Sequence, residues 1–324
     1  MVGEFSFIEK LRRRAGEYAS LSLGIGDDCS VLRVPLGHEL LTSTDLLLEN
    51  VHFRLDWTIP QNLGYKAVSV NVSDLAAMGG RPLALYLGLG VPHAFSASQL
   101  DLFVDGLFEG LADYGICLAG GDTCRSASGL MLAVTVQGHC RAGQALTRAG
   151  GRAGDDLWVS GTLGDSALCL RHLMAGQQCS EALKARHFRP LARLALGQAL
   201  AEEALATALL DLSDGLDGDI GHLLRASGVG ARIELNHLPL SPDFRAHLTR
   251  RPDLIDLALC GGEDYELLFS ANPQKRADLE RLSQRMQLPL TRIGRLNAEP
   301  GLQYLHADGS DYRPTTRAFD HFAD

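Results

Sequence analysis

Lysine is almost missing from this 324-residue chain: Lys10, Lys66, Lys184 and Lys275 are the whole set, so nearly all cationic chemistry falls to arginine. There is no G-x-x-x-x-G-K-[ST] loop, and Gly24-Ile25-Gly26 lacks the third glycine of a dinucleotide or kinase loop. Those two ways of cradling a nucleotide are therefore excluded. No nucleophilic serine elbow occurs either. The seven cysteines are odd in number and widely spaced, with no C-x-x-C pair, which excludes a zinc knuckle or a disulfide framework. Most lie in apolar runs and read as small buried hydrophobes. Met1 to Arg14 holds no apolar stretch of signal-peptide length, and no later run reaches a membrane span, so a cytoplasmic protein without a membrane partner is expected. The formal charge of −9 argues against a nucleic-acid surface, which needs basic patches.

What remains is an ordinary globular composition, 46% hydrophobic and 21% charged, in a chain long enough for two domains. Strands are expected at Leu40–Thr44, Leu83–Leu89, Ile116–Ala119 and Met131–Val136, with helices over Gln61–Met78 and Ser98–Tyr114. A Gly- and Arg-rich stretch, Arg141 to Asp155, marks the expected junction, dividing the chain into domains 1–140 and 141–324. Beyond it, strands are expected at Leu157–Ser160, Leu209–Leu212, Ala231–Leu235, Tyr265–Ser270 and Thr291–Leu296. Helices are expected over Asp165–Ala175 and Arg189–Ala206, the latter with Pro190 in its first turn. The alternation predicts two α/β or α+β halves. Cys117–Asp122 and Leu259–Glu263 echo one another weakly, as though each half ended a strand in a Gly-Gly turn.

The informative feature is a series of acid-bearing segments: Gly24-Ile25-Gly26-Asp27-Asp28, Ser43-Thr44-Asp45, Asn71-Val72-Ser73-Asp74, Gly120-Gly121-Asp122, Asp211-Leu212-Ser213-Asp214-Gly215 and Gly261-Gly262-Glu263-Asp264. Placed at strand ends, they are expected to converge where loops turn over a sheet edge. Two unit charges about 4 Å apart repel by ~4 kcal/mol at an effective dielectric of ~20, so convergence would demand protons or cations. Asp74 falls in the middle of the apolar face of the Gln61–Met78 helix, with Asn71 at its edge. A carboxylate there must be neutralised, hydrogen-bonded to backbone or bound to metal. Ser43 and Thr44 beside Asp45 add hydroxyl oxygens suited to Mg²⁺ or Ca²⁺. Asp211-Leu212-Ser213-Asp214-Gly215 precedes a helix with Leu216, Ile220, Leu223 and Leu224 on one side, and no closing Glu completes an EF-hand. Asp217 and Asp219 are expected in solvent. Gly120-Gly121 and Gly261-Gly262 give a ligand room to approach backbone. Arg148 in the junction is a candidate for phosphate oxygens, and His52 is notable for following Asp45 closely. An acid-rich, lysine-poor site with Arg and His in reserve suits metal-mediated phosphoryl transfer.

These segments, with Gly3-Glu4-Phe5, Leu75-Ala76-Ala77-Met78-Gly79, Thr147-Arg148, Asp264-Tyr265-Glu266-Leu267 and Phe319-Asp320-His321-Phe322, resemble the thiamine-monophosphate kinase family in order along essentially the whole chain. The resemblance implies a two-domain aminoimidazole-ribonucleotide-synthetase-like fold whose N-terminal domains pair in a homodimer. It implies an N-terminal ATP- and Mg-binding domain, a C-terminal domain that completes the nucleotide and substrate site, and phosphorylation of thiamine monophosphate by ATP with several Mg²⁺ ions. By the same likeness Asp28, Ser43, Thr44, Asp45, Asp74, Asp122, Asp211 and Asp214 hold metal. Gly121, Asp122, Arg148 and Ser213 meet ATP, and His52, Glu263 and Phe319 meet the thiamine phosphate. Selenophosphate synthetase, of the same superfamily, is disfavoured because no cysteine precedes the first acidic segment; Cys29 follows it.

Overall fold

The computed structural model describes residues 4–16 and 18–318. They form two compact units: the described residues up to Leu75 with Gly80–Gln144, and Ala76–Gly79 with the described residues from Ala145 onward. In the first unit α1 (Glu4–Ala15), the short strands β1 (Leu21–Leu23) and β2 (Val31–Leu32), β3 (His38–Leu48), α2 (Pro60–Ala77), β4 (Arg81–Pro92), α3 (Ala97–Tyr114), β5 (Cys117–Ser126) and β6 (Met131–Arg141) follow in order. Four of the strands make a sheet in the order β3-β6-β4-β5, antiparallel except for β4 with β5. On β6 Leu132, Val134, Val136 and Cys140 are buried while Met131 and Ala133 are exposed, the alternation of a sheet covered on one face. α3 starts at a capping box between Ser96 and Gln99 and stops at left-handed Gly115. It crosses α2 at bare backbone: a Cβ on Gly106 would lie 1.7 Å from the Gln61 carbonyl oxygen, so only glycine allows this approach.

The second unit contains β7 (Asp156–Ser160), α4 (Asp165–Met174), α5 (Glu181–Phe188), α6 (Leu194–Glu202), β8 (Ala208–Asp211), α7 (Leu216–Ser227), β9 (Gly230–Glu234), α8 (Pro242–Leu248), α9 (Ile255–Cys260), β10 (Leu267–Ala271), α10 (Arg276–Met286), β11 (Leu290–Asn297), β12 (Gly301–Leu305) and β13 (Asp311–Tyr312). Its seven-stranded sheet runs β13-β12-β9-β11-β7-β10-β8, parallel only between β12 and β9. Both faces are covered. Leu157, Val159, Leu210 and Leu268 pack with α4, α7, α8 and α9 residues, whereas Trp158, Leu209, Leu267 and Phe269 pack with α6 and α10. Burial on both faces explains why these strands are unbroken apolar runs.

Several expectations are corrected. Arg189–Ala206 is not one helix: α5 ends at Phe188 and α6 begins at Leu194, because Pro190 drives Arg189 out of helical geometry (φ −138°, ψ 58°). The Gly-Gly echo fails too, since Gly120-Gly121 lies inside β5 and Gly261-Gly262 follows helix α9. α2 is buried all round from Leu63 to Ala77 except at Asp74, which is partly exposed, so Asp74 does not interrupt a buried apolar face.

Candidate active site

Asp45, Asp74 and Asp122 of the first unit occupy regular structure rather than turns, whereas Asp28 lies in a loop between β1 and β2. Ser43 and Asp45, two residues apart on β3, pair with Val136 and Val134 on the helix-covered face. There the Ser43 hydroxyl donates to Asp74 Oδ2 of α2 at 2.5 Å. Thr44 points the other way: its hydroxyl donates to the Val134 carbonyl and contacts Thr135 Oγ1. Any part Thr44 plays alongside Ser43 and Asp45 therefore belongs to its main chain. At the end of β3, Leu48 donates its amide to Nδ1 of His52 in the following turn at 3.0 Å, which puts the proton of the neutral ring on Nε2.

Asp28 and Asp122 share a cleft of about 560 Å³ lined also by α1, the 24–30 loop and the strands β4 and β5. Gly121 sits on its wall at φ +150°, where a Cβ would fall 2.0 Å from the Leu87 carbonyl oxygen, so the backbone at Gly121 stays bare. Asp122 bends back to main chain, its Oδ1 accepting from the Thr123 amide at 2.9 Å, and the Asp28 amide donates to Asp27 Oδ1 at 2.8 Å. Ser30 Oγ meets Tyr86 Oη at 2.5 Å and ties the loop to β4.

Within the first unit the sheet holds two of the acid-bearing segments apart. β3 and β5 are opposite edges of the sheet, with β6 and β4 between them. Three inter-strand gaps separate Asp45 from Asp122 by roughly 14 Å of sheet. Among the described residues no three His, Cys, Asp or Glu side chains gather closely enough to hold a metal ion.

In the second unit the pairing of β8 with β10 sets Asp211 opposite Leu267, so the segments on either side of these strands meet at one sheet edge. The Leu212 amide donates to the Glu266 carbonyl, the Tyr265 amide to Leu212, and the Glu263 amide to Ser213 at 2.7 Å. Glu263 (φ 68°) and Tyr265 (φ 50°) are left-handed, a conformation that costs on the order of 1 kcal/mol each and that neighbouring contacts must hold. Below them lies a buried charge network. Glu266 accepts from Ser160 Oγ at 2.5 Å, from Arg186 Nη2 at 2.8 Å and from both Nε and Nη2 of Arg193. Asp264 accepts from the Gly164 amide, and burial pushes its carboxyl up to about 8 although Arg186 opposes the shift. Asp165 takes the hydroxyls of Thr162 and Ser241. Three buried carboxyls thus face two guanidinium groups, and the charges balance when Asp264 keeps its proton.

Asp219 is not in solvent as expected. It is buried, and its Oδ2 accepts from the amides of Asp214 and Gly215, which fixes the loop carrying Ser213 and Asp214 at the start of α7. Burial pushes its carboxyl up to about 7, with the Asp214 charge acting in the same direction. Asp217 accepts from Tyr304 Oη. Arg148 is exposed, and its guanidinium, after burial the largest cause, helps lower the His222 pKa. Asp256 binds the Tyr312 hydroxyl and both the amide and hydroxyl of Thr315. Phe319 lies outside the described residues.

Two family models for AIR synthase related proteins match, the N-terminal domain over residues 26–140 and the C-terminal domain over 152–306. They define a two-domain AIR synthase-like protein of mixed α/β build. Thiamine-monophosphate kinase from Escherichia coli K12 is 41% identical over 99% of this chain and 98% of its own length. The crystal structure of thiamine-monophosphate kinase from Stenotrophomonas maltophilia K279a superposes with a TM-score of 0.86 at 40% identity, covering 96% of this chain and 98% of that one. AaThiL, solved complexed with AMPPCP and TMP, superposes with a TM-score of 0.78 at 33% identity over 99% and 97% of the two chains. The chain belongs to the thiamine-monophosphate kinase family.

Proposed function

We propose that this protein phosphorylates thiamine monophosphate with ATP, giving thiamine diphosphate and ADP. The observation that carries the reading is the end-to-end match to AaThiL, a chain solved with an ATP analogue and TMP together. A phosphate oxygen of thiamine monophosphate forms the new bond to the γ-phosphorus as the bond to the ADP oxygen breaks. That nucleophile is already anionic, so the chain supplies positioning rather than a strong general base. Arg148 is assigned to the nucleotide phosphates, with bare backbone at Gly121 and the Ser213 hydroxyl as further ATP contacts. His52, Glu263 and Phe319 are assigned to the thiamine phosphate.

The donor set fits Mg²⁺. It consists of carboxylate and hydroxyl oxygens, and their distribution in ones and twos suits an ion that keeps waters and takes substrate phosphates as ligands. Asp28, Asp122, Asp211 and Asp214 would hold such ions, with Asp45 and Asp74 beside the Ser43 hydroxyl and the Thr44 main chain. Bound there, Mg²⁺ supplies neutralisation of the two polyanionic substrates. The first unit is proposed to carry ATP and metal binding and to pair with a second copy. Exposed Leu40, Leu46 and Met131 on the outer sheet face support that pairing. No helix among the described residues is long and apolar enough to cross a membrane, which is compatible with work in the cytoplasm.

The test is ADP release from ATP with and without thiamine monophosphate. The reading requires release that depends on the acceptor, with thiamine diphosphate formed in equal amount. ADP that forms at the same rate without the acceptor overturns it.

A further inference from the structure

The last turn of α5 delivers two successive side chains, Arg186 and His187, onto the segment that carries Glu263, and only the first has a structural explanation so far. Arg186 Nη2 donates to Glu266, to the Asp264 carbonyl and to the Thr162 carbonyl. His187 is buried, with Nδ1 2.9 Å from Ser166 Oγ and 3.3 Å from Glu263 Oε2. We propose that His187 is a positioning residue for Glu263, and that through it α5 sets the affinity for the thiamine phosphate. The inference rests on Glu263 meeting that substrate, as assigned above.

Three observations carry it. A carboxylate only accepts, so the contact with Glu263 requires the proton on Nδ1, where a single N–H lies between the carboxylate and the Ser166 hydroxyl. The ring itself is fixed edge-on against Phe188, with centroids 4.9 Å apart, so the donor is held in place before any ligand arrives. Glu263 gains from such a hold: its backbone is left-handed and pinned by the Ser213 carbonyl, and its side chain is only partly buried, so a donor on a fixed ring narrows its rotamer freedom. A carboxylate held in one rotamer meets an amine-bearing heterocycle without the entropy cost of ordering. Arg186 is excluded from the same role because its partners are Glu266 and main-chain carbonyls, none of them Glu263.

The experiment uses the full chain and measures the Kd for thiamine monophosphate, its KM, the KM for ATP and kcat. His187→Leu keeps bulk but removes the donor, and should raise the Kd and KM for thiamine monophosphate about tenfold, ~1.4 kcal/mol. The KM for ATP and kcat should stay within about twofold, since a residue that only positions substrate changes uniform binding. His187→Asn, whose amide nitrogen falls near the place of Nδ1, should restore most of the loss. Glu263→Ala should weaken binding at least as much, and adding His187→Leu to it should change nothing further. Should His187→Leu not fold, Ser166→Ala carries the test with an expected rise of about threefold, because one hydroxyl at the ring is lost. If Glu263→Ala leaves the affinity unchanged, the substrate assignment of Glu263 fails. If Glu263→Ala weakens binding while the His187 and Ser166 variants bind normally, or if the two losses add in full, the positioning role is overturned and the substrate assignment stands.

Discussion

Replacing Glu266 with glutamine is the most demanding test of how the second unit holds its strained loop. The side chain keeps its size and loses its charge, yet Arg186 and Arg193 both stay. Glu266 is 0% exposed, while Arg186 and Arg193 are 20% and 17% exposed. Breaking a buried ion pair by removing one partner costs about 3–5 kcal/mol, and the partial exposure of both guanidinium groups places this case at the lower end, ~3 kcal/mol. Glutamine also presents an NH₂ group to one of the oxygen positions that now accept from Ser160 and arginine, so one donor faces another. For a unit of this size each kcal/mol moves the midpoint by about 2–4 °C, which gives a fall of roughly 6–12 °C in thermal unfolding. Calorimetry on Glu266→Gln beside Ser160→Ala separates charge from hydroxyl: the serine variant should lose only about 1 kcal/mol. A Glu266→Gln midpoint within about 2 °C of the parent would refute the claim that this buried carboxylate neutralises two partly buried cations.

Two further outcomes follow from the charges. Asp264 has a folded pKa raised to about 8, so the folded chain binds the extra proton and this group's contribution to stability is present in full at low pH, below its unfolded value. It is lost as pH rises toward 8; Asp264→Asn should flatten that part of the stability profile measured by urea unfolding from pH 5 to 9, and an unchanged slope would contradict the assignment. Chelation with excess EDTA should abolish ADP release yet leave the thermal midpoint within about 2 °C, because the acids of the first unit do not crowd one another enough to need cations for folding; a large fall in midpoint would show that they do.

Much of the fold was legible because its strands are apolar on one or both faces. The runs at Leu83–Leu89, Met131–Val136 and Leu157–Ser160 sit inside β4, β6 and β7. Cysteine followed suit: Cys117, Cys140, Cys169, Cys179 and Cys260 are buried. Legibility failed where long-range pairing decides. Thr44 and Asp45 are adjacent in sequence, yet the period-2 pleat sends their side chains to opposite faces. Asp219 looked like an exposed helical acid because its partners, the amides of Asp214 and Gly215, are created only by the turn into α7. Arg186, His187 and Arg193 gave no local signal at all, since the carboxylates they meet are more than 70 residues away. One clue was available for Glu266: an acid directly ahead of the apolar run Leu267-Leu268-Phe269 has nowhere to go but the end of a buried strand.

The sequence read as a repulsion problem, and the sheet order changes what kind of problem it is. At roughly 14 Å in water two unit charges repel by about 0.3 kcal/mol, below thermal energy, and a Debye length near 8 Å at physiological salt reduces even that. The mutual repulsion of Asp45 and Asp122, on opposite edge strands, therefore costs the first unit almost nothing. Where acids do approach other groups, the chain offers its own donors: the Ser43 hydroxyl for Asp74, the Thr123 amide for Asp122, and the Asp214 and Gly215 amides for Asp219. The demand for cations then arises only when two phosphate-bearing substrates enter. On the assignment proposed above, the charges of the protein would select and place ions for the reaction, and the fold does not spend them on holding itself together.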